Sequence, residues 1–140
     1  MTDPGETLAA AARDLIGTPF RLHGRDPATG LDCVGLVHAA LMAAGGHPVP
    51  PRGYALRNLA IEEWLPLAER SGLMPAAQPI HIGDVLLIAL GFGQHHLVIA
   101  CGADQVIHAH AGLRRVVCQP RDPAWQVRTA WRLVPPRSES

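Results

Sequence analysis

The chain contains no lysine: all twelve basic residues are arginines, and twelve acidic residues balance them. No basic stripe can be traced, which argues against a nucleic-acid partner. A net charge of zero gives weak self-repulsion, as a protein docked in a larger assembly tolerates. Cysteine is scarce. Cys33, Cys101 and Cys118 are an odd number at wide spacing, which excludes a disulfide framework. No Cys/His pair has structural-zinc spacing either. Long apolar runs are missing too. The longest, Val85 to Leu90, is far too short to cross a bilayer, so membrane insertion is not expected. The start, Met1-Thr2-Asp3-Pro4, lacks the charged-then-apolar pattern of a signal peptide. The expectation is synthesis in the cytoplasm, with another component carrying the protein to any work outside.

What is present describes a folded protein. Hydrophobic residues make up 48% and charged residues 17% of 140 positions. Such a length suits one domain, here residues 1–135 with a flexible tail at 136–140. A chain of this size buries roughly two-thirds of its unfolded surface. Asp3-Pro4-Gly5-Glu6 reads as a helix start, followed by a stripe of Leu8, Ala11, Ala12, Leu15 and Ile16. After a loop rich in Gly and Pro, Asp32 stands as an N-cap. Cys33, Leu36, Val37, Ala40, Leu41 and Ala44 follow at helical spacing, and Gly45-Gly46 stops the helix. A proline-rich loop from His47 to Gly53 comes next, and Asn58 caps a short helix carrying Leu59, Trp64, Leu65 and Leu67.

The second half changes period. Val85–Leu90, His96–Cys101, Gln105–His110, Leu113–Cys118 and Val127–Val134 are apolar or alternating runs, broken mostly at Gly, Asp or Pro. They predict an antiparallel meander. Helices followed by strands give an α+β fold, with N-terminal helices packed on an antiparallel sheet.

Cys33 is the candidate nucleophile. In the first turn of a helix, unpaired N–H groups and the helix dipole favour a thiolate, and the same N–H groups can hold an oxyanion. Asp32 opposes the thiolate electrostatically, so its job is capping or substrate contact. A thiol nucleophile needs a base, and four histidines (His95, His96, His108, His110) fall in two adjacent strands. With Gly102-Ala103-Asp104 as a three-residue loop, Cys101 pairs with Gln105, His96 lies opposite His110, and His108 is its diagonal neighbour. His95 then points to the other face; a two-residue loop would reverse the faces. Paired histidines also suit a metal, but no HExxH or carboxylate cluster completes a site, so no metal or cofactor is expected. Cys101 and Cys118 read as core residues.

Five segments in order resemble the NlpC/P60 family of papain-like cysteine peptidases: Gly17-Thr18-Pro19-Phe20, Gly30-Leu31-Asp32-Cys33-Val34-Gly35-Leu36-Val37, Gly83-Asp84-Val85, His96-Leu97-Val98-Ile99 and Val106-Ile107-His108-Ala109. The Asp-Cys-x-Gly-Leu-Val block with the following Pro48-Val49-Pro50-Pro51 resembles the phage-type branch, found among tail genes of phages and gene transfer agents. The resemblance implies hydrolysis of amide bonds in peptidoglycan stem peptides. It implies Cys33 as nucleophile, His96 as base, His108 as the third polar residue, and Asp32 as a ligand for the substrate's amine. Its implied partners are stem peptides and the proteins of a phage-like tail tip or baseplate. Its implied workplace is the tail of such a particle, acting in the periplasm or cell wall. Two positions depart from the pattern: Val34 stands where the family usually has Ser, and Phe20 where it often has Tyr. These departures sustain a rival reading, a structural tail component with a vestigial site.

Overall fold

The structure, a computed structural model, describes residues 3–22, 24–46, 68–91 and 94–134. The helix expected after Asn58, the loop at Pro48-Val49-Pro50-Pro51 and the tail at 136–140 lie outside the described residues.

Helix α1 spans Pro4–Arg13. Asp3 caps it, its Oδ1 accepting from the Gly5 amide at 2.8 Å, and Pro4 fills a first-turn position that needs no donor. The expected stripe reached Ile16; the helix stops at Arg13 because Asp14 closes it and Gly17 adopts φ +93°. A two-residue ladder, β1 (Arg25–Asp26) with β2 (Gly30–Leu31), precedes helix α2, Cys33–Ala43. Eight of the eleven residues of α2 are buried, Met42 and Ala43 at its end being exposed, as suits a helix that is apolar on most sides. It ends in a Schellman turn: Gly46 N–H donates to Leu41 O at 2.8 Å and Gly45 N–H to Met42 O at 3.1 Å, with Gly45 at φ +88°.

Six strands follow: β3 (Leu73–Pro75), β4 (Val85–Gly91), β5 (Gln94–Ala100), β6 (Gln105–His110), β7 (Arg115–Pro120) and β8 (Gln126–Leu133). They form one antiparallel sheet in the order β3-β8-β4-β5-β6-β7. With the helices ahead of it, the chain is α+β, as expected. The simple meander holds from β4 to β7 only. The last strand returns past that run and inserts between β3 and β4, and β3 itself carried too short an apolar pattern to be read.

The sheet buries both faces. Val85, Leu87, Leu97, Ile99, Ile107 and Trp131 pack with α1 and α2 in the larger core. Leu86, Ile88, Val98 and Val106 form a second cluster on the opposite face, partly covered by Trp125 and Val127. Each fully buried Leu or Ile contributes roughly 1.5–3 kcal/mol, so the two clusters together outweigh any single polar contact. One polar anchor ties the sheet: Asp84, fully buried, accepts from Arg132 Nε at 2.9 Å, from Arg132 Nη2 at 3.0 Å and from the His81 amide at 2.9 Å. These bonds hold the Arg132 guanidinium above its ordinary pKa.

Candidate active site

Cys33 is the first residue of α2, and the start of that helix is packed backbone against backbone. A Cβ on Gly35 would sit 1.9 Å from the Gly24 carbonyl oxygen, so only glycine allows the approach. Asp32 is fully buried and caps the helix, its Oδ1 accepting from the Gly35 amide at 2.8 Å. Of its two expected jobs, the structure displays the capping one.

The pairing of β5 with β6 comprises Ile99 with Ile107 and Ala100 with Val106, and the Cys101 amide donates to Gln105 O at 2.9 Å. This is the register expected for a three-residue loop, yet the ladder ends at Ile99. Beyond it the strands part. The backbone of Leu97 and, less strongly, that of Val34 and of Cys33 itself favour negative charge on the Cys33 sulfur. The helix start thus sits at the opening between the two strands.

His96 and His108 meet across that opening. Their rings lie edge to face with centroids 5.0 Å apart, and His96 Nε2 is 2.9 Å from His108 Nδ1. The diagonal contact expected from the register is therefore made. Among the described residues no hydrogen bond joins His96 to Cys33: the imidazole bonds His108 instead. Both groups rest uncharged. Burial, aided by Asp32, pushes the Cys33 thiol up to about 12 against the lowering effect of the amides. Burial, with the neighbouring imidazoles of His108 and His110, holds His96 down to about 3. The thiolate expected from the helix dipole is thus opposed by desolvation, the larger effect for a thiol that is 2% exposed.

Two residues that the sequence did not single out surround His108. Trp125 sets its ring edge to face at 5.7 Å. Gln119, on β7, stands opposite Val106 and so faces the same side of the sheet as His108. Burial lowers the His108 pKa and the Gln119 carboxamide partly offsets this, although His108 Nε2 has no partner in hydrogen-bonding geometry among the described residues. His110 lies with its ring 5.3 Å from that of His108, and its Nδ1 accepts from the Leu113 amide at 3.0 Å. The signal for Gln119 was available in the β6–β7 alternation, but only once that register was known.

A cavity of about 350 Å³ opens over the histidines. Phe20, Leu90, Gln94, His95, His96, His108, His110 and Trp125 are among its walls; Cys33 is not. Its volume suits a few peptide-sized groups, and its walls are mainly apolar and imidazole. Among the described residues, no three His, Cys, Asp or Glu side chains converge to hold a metal. Cys101 is buried as expected, but Cys118 is exposed, because the β7 edge strand leaves that position uncovered.

Residues 17–133 match the model of the NlpC/P60 family. Protein P54 of Enterococcus faecium is 29% identical over 105 residues, a stretch covering 75% of this chain and 18% of that protein. The chain thus spans under a fifth of that relative. The NlpC/p60 domain of the peptidoglycan hydrolase SagA is 27% identical, with a TM-score of 0.57 over 83% of this chain and 88% of that one. NlpC2 of Trichomonas vaginalis shares the fold at 20% identity, with a TM-score of 0.68 over 94% of this chain and 48% of its own.

Proposed function

Because the chain belongs to the NlpC/P60 family, we propose that it is a cysteine peptidase acting on peptidoglycan stem peptides, with Cys33, His96 and His108 as its working residues. The observation that carries this reading is the 2.9 Å bond between His96 Nε2 and His108 Nδ1 beside the helix start that presents Cys33. Similarity to the domain of the peptidoglycan hydrolase SagA supports the substrate class.

The bond sets a proton order. For His96 to act as base through Nδ1, its Nε2 carries the proton and donates to His108 Nδ1. His108 then carries its own proton on Nε2, facing Gln119. His108 thereby fixes the tautomer of His96, and Gln119 is the acceptor assigned to the end of the relay. When a stem peptide enters the cavity, His96 takes the Cys33 proton as the thiol attacks the amide carbonyl. Amides at the start of α2 and that of Leu97, which favour negative charge on the sulfur, are assigned to stabilise the oxyanion. His96 protonates the leaving amine, and water releases the acyl-enzyme. The step needs the substrate to draw thiol and imidazole together, as catalytic hydrogen bonds tighten in the Michaelis complex. Asp32 keeps the helix start in place, and its proposed second role is contact with the substrate's free amine.

The workplace proposed is the tip of a phage-like tail during DNA delivery, docked on tail tip or baseplate proteins. The Asp32-Cys33-Val34-Gly35-Leu36-Val37 block supports it. A second reading, a structural tail component with a vestigial site, is favoured by the deep burial of Cys33 and by its lack of a bond to His96. One experiment separates them: purified sacculi are digested with the protein and with Cys33→Ala, and the released muropeptides are weighed by mass spectrometry. New amine termini with the first protein only support the peptidase and name the bond. Equal release, or none from either, returns the chain to the structural reading.

A further inference from the structure

A pair of sulfur atoms lies at the margin of the larger core, away from the histidines. Cys101 directly follows β5, ahead of the turn, and Cys118 lies on β7, and their sulfurs stand 3.6 Å apart with both thiols free. Cys118 is exposed and also donates toward Gln105 Oε1 at 3.7 Å, while Cys101 is 3% exposed beneath it. The Arg13 guanidinium bonds the Cys101 carbonyl oxygen and sits beside its sulfur. Burial and Cys118 push the Cys101 thiol up to about 11, and Arg13 opposes them. A disulfide needs sulfurs at about 2.05 Å, and β6 lies between the two strands that carry these cysteines, so closure draws the β7 edge strand toward the end of β5.

We propose that Cys101 and Cys118 form a thiol–disulfide exchange site that accepts a small exposed disulfide and closes into a staple across β5, β6 and β7. The chemistry divides by exposure. The Cys118 thiolate attacks a low-molecular-weight disulfide, whose S–S bond breaks; one half leaves as thiol and the other stays on Cys118. Cys101 then loses its proton to solvent and attacks the Cys118 sulfur, displacing the second half. Two protein thiols are oxidised by two electrons and the reagent is reduced to two thiols. Cys33 is excluded by its burial at the start of α2. The inference stands whether or not the chain cuts peptides.

The test uses the full chain, reduced, then exposed to oxidised glutathione, alkylated and weighed intact. Trypsin separates the two cysteines after Arg114 and Arg115, so a Cys101–Cys118 link appears as one joined peptide pair. The expected result is loss of two hydrogens, no lasting glutathione adduct, an alkylated Cys33, reversal by dithiothreitol, and a Tm raised on the order of 5–10 °C. Cys101→Ser should trap glutathione on Cys118. A lasting adduct on Cys118 in the unaltered chain overturns the proposal, as does a link through Cys33 or a Cys118–Cys118 dimer. If Cys101→Ser does not fold, the peptide map of the unaltered chain decides alone.

Discussion

His96 and His108 are joined, Nε2 to Nδ1, across an opening where two neighbouring strands stop pairing. The joint exists because β5 and β6 separate after Ile99–Ile107, leaving a bay that the start of α2 occupies. In the proposed mechanism this bond orients His96, with Gln119 on the far side of His108.

Removing the orienting ring should slow turnover more than it weakens binding. His108→Ala is expected to lower kcat on a stem-peptide substrate by about 10²-fold with little change in KM. Gln119→Leu should cost less, about 3–10-fold, and His108→Gln should restore part of the loss by offering an acceptor to His96. Steady-state kinetics across pH checks all three; a loss carried wholly by KM would remove the relay.

Thiol reactivity should invert the order that the helix dipole suggests. At neutral pH iodoacetamide is expected to modify exposed Cys118 first and Cys33 far more slowly. The Cys33 rate should still be climbing at pH 9, since its thiol is held up to about 12. Timed quenching with peptide mass spectrometry reads the order. A Cys33 rate that levels off below pH 8 would refute the buried-thiol state.

Stability should form a plateau between about pH 6.5 and 9. The His96 pKa is depressed from 6.5 to about 3, so below 6.5 the unfolded chain binds a proton that the folded one refuses. Stability then falls with pH, by up to about 1.4 kcal/mol per unit for this group. His108, also lowered, adds to the same limb. Cys33 is raised from 9 to about 12, so its contribution is intact below 9 and is lost as pH rises toward 12. Urea midpoints across this range test both limbs, and His96→Phe should flatten the acid one.

The start of α2 should tolerate almost nothing. Gly35→Ala forces a Cβ to within 1.9 Å of a carbonyl oxygen and is expected to destabilise by about 3 kcal/mol or more. Asp32→Ala removes the cap and should cost about 1–2 kcal/mol. Thermal denaturation of the two variants ranks them.

Much of this was legible in the sequence. Asp3 and Asp32 announced both helix starts, and Gly45-Gly46 the second helix's end, because caps are local chemistry. The loop Gly102-Ala103-Asp104 allowed two registers, and the pairing of Ile99 with Ile107 is the one that brings His96 to His108. What stayed hidden depends on distant parts of the chain. The insertion of β8 beside β4 leaves no local trace. The protonation state of Cys33 could not be read either, since the dipole is a property of its helix and the desolvation a property of everything packed around it. Gln119 and Trp125 became visible only when strands far apart in sequence were laid side by side.

The contact between Gly24 and Gly35 bears on how such chains are recognised. Aspartate and glycine flank the cysteine here for reasons of carpentry: one ties off the helix and the other lets two backbones touch. A descendant that lost its thiol would still need both to fold. A signature built on that block therefore detects the scaffold, living or retired, and under the mechanism proposed above it is the thiol and its two imidazoles that would separate cutters from silent copies.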